Sequence, residues 1–169
     1  MKITKLVTKP LTKEAFARFG DVIEVDGAQH FDINVGTVER YHDLAKVEID
    51  VETGGRAIIS YFKINESKGF PYLFNLVERH PKGSQAFIPM FDDPVAIVVA
   101  PKDEEPTSSN LHAFVTNGKQ GFNFHAGVWH MPLMSEQQDR VFVVVDRAGP
   151  GNNCDEFTLE NETIELTLR

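Results

Sequence analysis

Cysteine is almost missing from this chain: Cys154 stands alone among 169 residues. A single thiol cannot close an internal disulfide, which fits a reducing compartment. Cys154 sits in the polar run Gly151-Asn152-Asn153-Cys154-Asp155, where a plain free thiol is the expected reading. Long apolar runs are also missing. Nothing approaches the 18 or so residues of a membrane span, and Met1-Lys2-Ile3-Thr4-Lys5 leads into no apolar signal core. A cytoplasmic protein with no membrane partner is therefore expected. Positive charge is in deficit, with 17 Lys and Arg against 25 Asp and Glu and a formal net charge of −8. That balance argues against a nucleic-acid backbone as partner but leaves room for a local cationic pocket holding a small anion. No linker, repeat or low-complexity tract interrupts the chain, so residues 1–169 are expected to form one domain.

One helix is legible. Thr12 can cap it, Leu11, Ala15, Phe16 and Phe19 give an apolar stripe, and Gly20 is the expected stop. Almost everything after it reads as short strands. The expected strands are 22–25, 57–64, 72–80, 85–89, 95–100, 111–115, 122–125, 128–131, 140–146 and 163–168, with Gly, Pro, Asn and Asp turns between them. Val95-Ala96-Ile97-Val98-Val99-Ala100 is apolar throughout and belongs in the middle of a sheet. Many short strands with regular turns predict a sandwich or barrel.

Two stretches carry the chemistry. The first is Glu78-Arg79-His80-Pro81-Lys82-Gly83-Ser84-Gln85, continuing to Met90. The second is Gly121-Phe122-Asn123-Phe124-His125-Ala126-Gly127-Val128-Trp129-His130-Met131. Residues two apart on a strand share a face, so Glu78 and His80 face one way and Arg79 the other. Gln85 can return beside the pair after the Pro81-Lys82-Gly83 turn, and His125 can join from another strand. A carboxylate, two imidazoles and an amide oxygen can hold a divalent cation or act as general acid and base. Strict alternation puts His125 and His130 on opposite faces, and a bulge at Gly127 is the expected device for bringing them together.

At these residues the chain resembles the cupin superfamily and, within it, the ureidoglycolate lyase family. Glu78 takes the place of the first His of the first cupin motif, Gln85 that of its Glu, and His125 that of the second-motif His. The closer likeness also runs through Phe19–Ile23, Val38-Glu39-Arg40-Tyr41-His42-Asp43-Leu44, Ala113–Gly118, Val128-Trp129-His130, Asp146-Arg147 and Asn153-Cys154-Asp155. In one departure, Met131 stands where some family members have a second His. The resemblance implies an all-β, cupin-like double-stranded β-helix or jelly-roll barrel with a short N-terminal helix. It also implies a homodimer in the cytoplasm, cleaving ureidoglycolate to glyoxylate and urea in allantoin catabolism.

Such a cleavage needs a base for the hydroxyl proton, an acid for the departing nitrogen and a cation for the carboxylate. His125 or His80 is the expected base, His130 the acid, and Glu78 orients an imidazole or binds metal. Arg40 or Arg79 is the expected carboxylate fork, with Asn34, Gln85 and Trp129 as further substrate contacts. A divalent metal, nickel or another, is implied at Glu78, His80, Gln85 and His125. Two other readings stand beside this one. One is a different cupin enzyme on a small organic acid, against which the Glu-His-Gln-His set counts as a weak iron site. The other is a non-catalytic small-molecule-binding cupin.

Overall fold

A computed structural model describes residues 1–169. In chain order the elements open with β1 (Lys2–Val7), β2 (Lys9–Pro10), α1 (Lys13–Phe16), β3 (Gly20–Ile23), β4 (His30–Ile33) and β5 (Val38–Tyr41). They continue with β6 (Arg56–Lys63), β7 (Tyr72–Phe74), β8 (Leu76–Arg79), β9 (Gln85–Pro89), β10 (Ala96–Ala100) and β11 (His112–Val115). The last are β12 (Gly121–Phe124), β13 (Trp129–His130), β14 (Val141–Ala148), β15 (Asp155–Thr158) and β16 (Glu162–Thr167). The protein is all-β apart from one short helix. A six-stranded sheet, β15-β8-β13-β10-β11-β2, faces a five-stranded sheet, β3-β12-β9-β14-β6.

The core between these sheets is aromatic. Phe87, Phe122, Phe124 and Phe142 from one sheet meet Val95, Ile97, Val99 and Phe114 from the other. Strand β10 shows why its sequence is apolar on every residue. Val95, Ile97 and Val99 point into the barrel, while Ala96, Val98 and Ala100 join a second core behind the six-stranded sheet with Phe74, Trp129 and Leu166. That second core is covered by a third sheet, β1-β16-β7, in which the two ends of the chain pair in parallel from Lys2↔Glu162 to Val7↔Thr167. The expected 72–80 strand is divided at Asn75, so that β7 joins the cover and β8 the barrel.

The helix is as short as expected. Thr12 caps it, its side chain accepting from the Ala15 N–H at 3.1 Å. Gly20 serves another purpose than helix termination. It opens β3, and a Cβ there would lie 1.8 Å from the Asn123 carbonyl oxygen, so only glycine permits this approach of β3 to β12. Strands β4 and β5 pair only with each other and form a separate hairpin.

Candidate functional site

Three adjacent strands set the site. On the inner face of the six-stranded sheet, β15, β8 and β13 bring Glu156, Glu78 and His130 side by side in register. His80 follows Glu78 by two residues and so shares its face. The Nε2 atoms of His80 and His130 lie 3.9 and 3.5 Å from Glu78 Oε1. All three ligand atoms fall within 4.8 Å of one another. Cys154 and Glu156 form a more exposed fringe around Glu78, with Cys154 Sγ 3.9 Å from Glu78 Oε2.

Backbone carbonyls fix both tautomers. His80 Nδ1 lies 2.7 Å from the Asn153 oxygen, and His130 Nδ1 lies 3.1 Å from the Val128 oxygen. A carbonyl only accepts, so each Nδ1 carries a proton, and in a neutral ring the lone pair is then on Nε2. Both Nε2 atoms are buried with no protein partner. His130 is 2% exposed and stacks on Phe124 at 4.4 Å between ring centroids. Burial pushes its pKa down, with the opposing pull of Glu78 smaller, so the ring is neutral near pH 7. The neighbouring His130 imidazole in turn holds the Glu78 carboxyl below its ordinary range, against the opposite push of burial. Two imidazole Nε2 atoms and a carboxylate oxygen therefore converge on one point.

That donor set fits a divalent cation. Two imidazoles and a carboxylate are borderline ligands suited to first-row metals. Ligating histidines also characteristically donate their other N–H to a carbonyl, as both do here. A neutral His130 with its lone pair inward suits a ligand or a base. The acid role expected of it from the sequence then requires that the ring first take up a proton.

The other expected residues are placed as follows. Gln85 points into the barrel beside the triad, its Nε2 donating to Asp146 at 3.2 Å and its Oε1 unpartnered. His125 is not brought to the triad. It follows Phe124 on the opposite face of β12, with Nε2 3.4 Å from Asp21. Gly127, with φ of +80°, makes a tight turn rather than a bulge, so the alternation that separates His125 from His130 stands. Arg79 and Trp129 also face outward. The Arg79 guanidinium lies 4.4 Å above the Trp129 ring and pairs with Asp155 at 2.9 Å, which leaves neither group for substrate in the cavity. Asn34 and Arg40 are on the β4–β5 hairpin, away from the cavity lining. Met131 is buried and lines the cavity as an apolar wall. Cys154 is exposed, and partial burial with the nearby Glu78 raises its pKa, so its thiolate is disfavoured as a nucleophile.

Sequence reasoning missed Asp146 as the partner of Gln85 and Glu156 as the neighbour of Glu78. It also missed His130 as the second imidazole of the donor set. Strict alternation separates His125 from His130, and the pairing of β13 with β8 decides that His130 is the one beside Glu78. The cavity beside the triad measures about 60 Å³ and is walled mainly by Phe62, Phe87, Phe122, Phe124 and Leu133.

The family model described as "Ureidoglycolate lyase" matches residues 3–166. A protein from Pseudomonas fluorescens (strain Pf-5) named ureidoglycolate lyase is 52% identical over 162 residues, covering 95% of this chain and 96% of the relative. One of the same name from Pseudomonas savastanoi pv. phaseolicola is 53% identical over 163 residues, covering 96% and 95%. Among solved structures, a 3,4-ketoisomerase from Helicobacter canadensis aligns over 85% of this chain and 87% of its own at 14% identity. Its TM-score of 0.35 is too low to carry any argument.

Proposed function

The chain belongs to the ureidoglycolate lyase family, and from that premise we propose that it is a carbon–nitrogen lyase cleaving ureidoglycolate to glyoxylate and urea. The observation that carries the site assignment is the convergence of His80 Nε2, His130 Nε2 and Glu78 Oε1 at the barrel mouth. The donor set alone does not choose the reaction, because non-haem iron oxygenases use the same ligand types. Family membership is what selects carbon–nitrogen cleavage.

The substrate carries a carboxylate, a hydroxyl and a ureido nitrogen on one carbon. Glu78 and His80 are half-buried beside the cavity, and ureidoglycolate is placed against them with its reacting carbon toward the imidazoles. An Nε2 lone pair takes the hydroxyl proton as the carbonyl of glyoxylate forms. The C–N bond breaks, and the same imidazole returns that proton to the departing nitrogen, giving urea. Atoms and charge balance with no covalent intermediate and no water consumed. One neutral imidazole thus fills the base and acid roles in turn. Gln85 Oε1 is placed to accept from the ureido group, and the phenylalanine wall limits water around the developing charge.

Glu78, His80 and His130 are the residues that would hold a divalent cation. When bound, such an ion would polarise the substrate carboxylate and hydroxyl as a Lewis acid. A homodimer, a place in allantoin breakdown and a cytoplasmic location belong to the same reading. The location is supported by the exposed, unpaired Cys154. No helix is long and apolar enough to cross a membrane.

The test is release of urea and glyoxylate from racemic ureidoglycolate, with and without chelator. Equal amounts of both products are expected. Loss of activity on chelation, with recovery on adding one divalent metal, would assign the triad to a cation. Retained activity would leave the imidazoles as the proton carriers. Absence of both products under every metal condition would refute the lyase.

A further inference from the structure

A lyase for this substrate needs a cation for the carboxylate, and no Lys or Arg lines the cavity beside the triad. Glu78, Glu156 and Asp146 give the mouth an acidic character. Arg79 is committed to Asp155 and Trp129 on the outer face. Arg147 is buried and donates to the Pro150 carbonyl. Arg56, at the start of edge strand β6, lies on the inward-facing register two residues beyond Ile58, the partner of Asp146.

The β4–β5 hairpin has the complementary character. Its register pairs His30↔Tyr41, Phe31↔Arg40, Asp32↔Glu39 and Ile33↔Val38, so alternation sorts its side chains onto two faces. One face is polar and satisfied within the hairpin. Tyr41 hydrogen-bonds Glu39, and His30 lies 3.8 Å from the same carboxylate. The other face carries Phe31, Ile33, Val38 and Arg40. Phe31 and Val38 are about two-fifths exposed, and the Arg40 guanidinium lies over Phe31 at 5.9 Å with no carboxylate partner. At the tip, Asn34 and Val35 both have positive φ, 52° and 59°, and Val35 is fully exposed. A β-branched residue in the left-handed region is strained, and such strain marks sites where the backbone is held for a purpose. The base is firm. Lys46 N–H donates to Asp21, and Asn123 donates to the Lys46 carbonyl. A two-stranded ribbon with one bare apolar face is marginal in water by itself.

We propose that this face of the hairpin lies across the open β6 edge of a second copy of the chain and brings Arg40 to that copy's Glu78–His80–His130 site. There the guanidinium forms a fork with the substrate carboxylate. Edge strand β6 offers matching apolar surface, with Ile59 and Tyr61 about 70% exposed or more and Phe62 at the cavity itself. The acidic mouth attracts the one uncommitted cation of the apolar face. Each site is then built from two subunits, in a reciprocal arrangement that a two-fold dimer satisfies. The inference rests on the lyase reading given above.

Complementation between two disabled subunits tests it. Arg40→Ala lacks the fork and Glu78→Gln lacks the triad carboxylate, and each alone is expected to lose activity. For Arg40→Ala the loss is expected chiefly in KM, by roughly 10- to 150-fold for a hydrogen-bonded charge. In a mixed dimer formed by co-expression, the Arg40→Ala subunit keeps its triad and receives Arg40 from the other. Random pairing makes half the dimers mixed, each with one intact site, so about a quarter of wild-type activity is expected. If Arg40 served its own subunit's site, both sites of the mixed dimer would be dead. His130→Gln replaces Glu78→Gln should the latter fold poorly. The proposal is overturned by no recovery in the mixture, by full activity of Arg40→Ala, by loss only in Arg56→Ala, or by an active monomer in sedimentation. Wild-type protein without turnover on ureidoglycolate would fail the lyase reading itself, and the proposal with it. An active wild type beside a dead mixture fails the proposal alone.

Discussion

Replacing His130 with Phe separates a functional group from a structural one. His130 is nearly fully buried, and its Nε2 has no protein partner. An unsatisfied buried polar atom costs about 1–3 kcal/mol, which Phe removes. Against that, the variant loses the Nδ1–H bond to the Val128 carbonyl, a net loss of about 0.5–1.5 kcal/mol, and leaves that oxygen without this donor. The stack on Phe124 survives because the new ring occupies the same plane. The extra carbon can enter the adjoining cavity of about 60 Å³ without overpacking. The opposing terms nearly cancel, so the expected change in stability lies within about 2 kcal/mol of zero. For a domain of this size that is a Tm shift of at most about 8 °C in either direction. Activity should nevertheless fall by at least about 100-fold, the lower end for a lost acid–base group. Scanning calorimetry on the protein as purified and steady-state urea release read the two quantities separately. A fall in Tm beyond about 12 °C would refute the reasoning by making His130 a structural keystone. Retained kcat/KM would refute it from the other side.

Three further outcomes follow from the same geometry. Lowering the pH should destabilise the protein in two stages. The folded pKa of His130 is depressed by burial, so the unfolded chain binds the proton first and stability falls once pH drops below about 6.5. Glu78 is also depressed, so its contribution is present above the ordinary carboxylate range and lost as pH falls through its folded value. Urea midpoints should decrease in the order pH 8, pH 6, pH 4.5, and His130→Phe should lack the first stage. Arg79→Ala removes the ion pair to Asp155 and the stack on Trp129, costing roughly 1–2 kcal/mol in thermal melts. Its kcat/KM should match wild type, and a loss above tenfold would put Arg79 back at the substrate. His125→Gln, on the far face of β12 beside Asp21, should keep turnover within about threefold, whereas His80→Gln should lose at least about 100-fold.

Much of the barrel was legible because burial on both faces leaves an unmistakable signature. Val95–Ala100 is apolar throughout because one set of side chains fills the barrel and the other the second core. Glu78 and His80 were paired correctly in space by alternation alone, as was the outward direction of Arg79. The hairpin β4–β5 was not legible as strands. Its four-residue connection, residues 34–37, lacks the short Asn-Gly or Asp-Gly turn that signals a hairpin most strongly, and its polar face mimics a loop. Strand β1 was missed for a related reason, since Lys2, Thr4 and Lys5 read as a polar terminus until β16 pairs with them. The exchange of His125 for His130 has a local cause. Both lie in one stretch of ten residues, and the tight turn at Gly127 sends them to different sides of the barrel wall.

The parallel pairing of β1 with β16 sets an order of events during synthesis. Strand β1 is made before, and its partner β16 after, every strand the two of them will cover. Until β16 arrives, Trp129, Met131 and Met134 behind the six-stranded sheet lack their cover, as does Phe74 on β7. The nascent chain thus carries a complete barrel wall with a sticky outer surface and an unpaired leading strand. Closure depends on the contact of greatest sequence separation in the molecule, which makes it a slow step. A chaperone acting on this chain would be needed late, at the sealing of the cover, rather than early, at the collapse of the phenylalanine core.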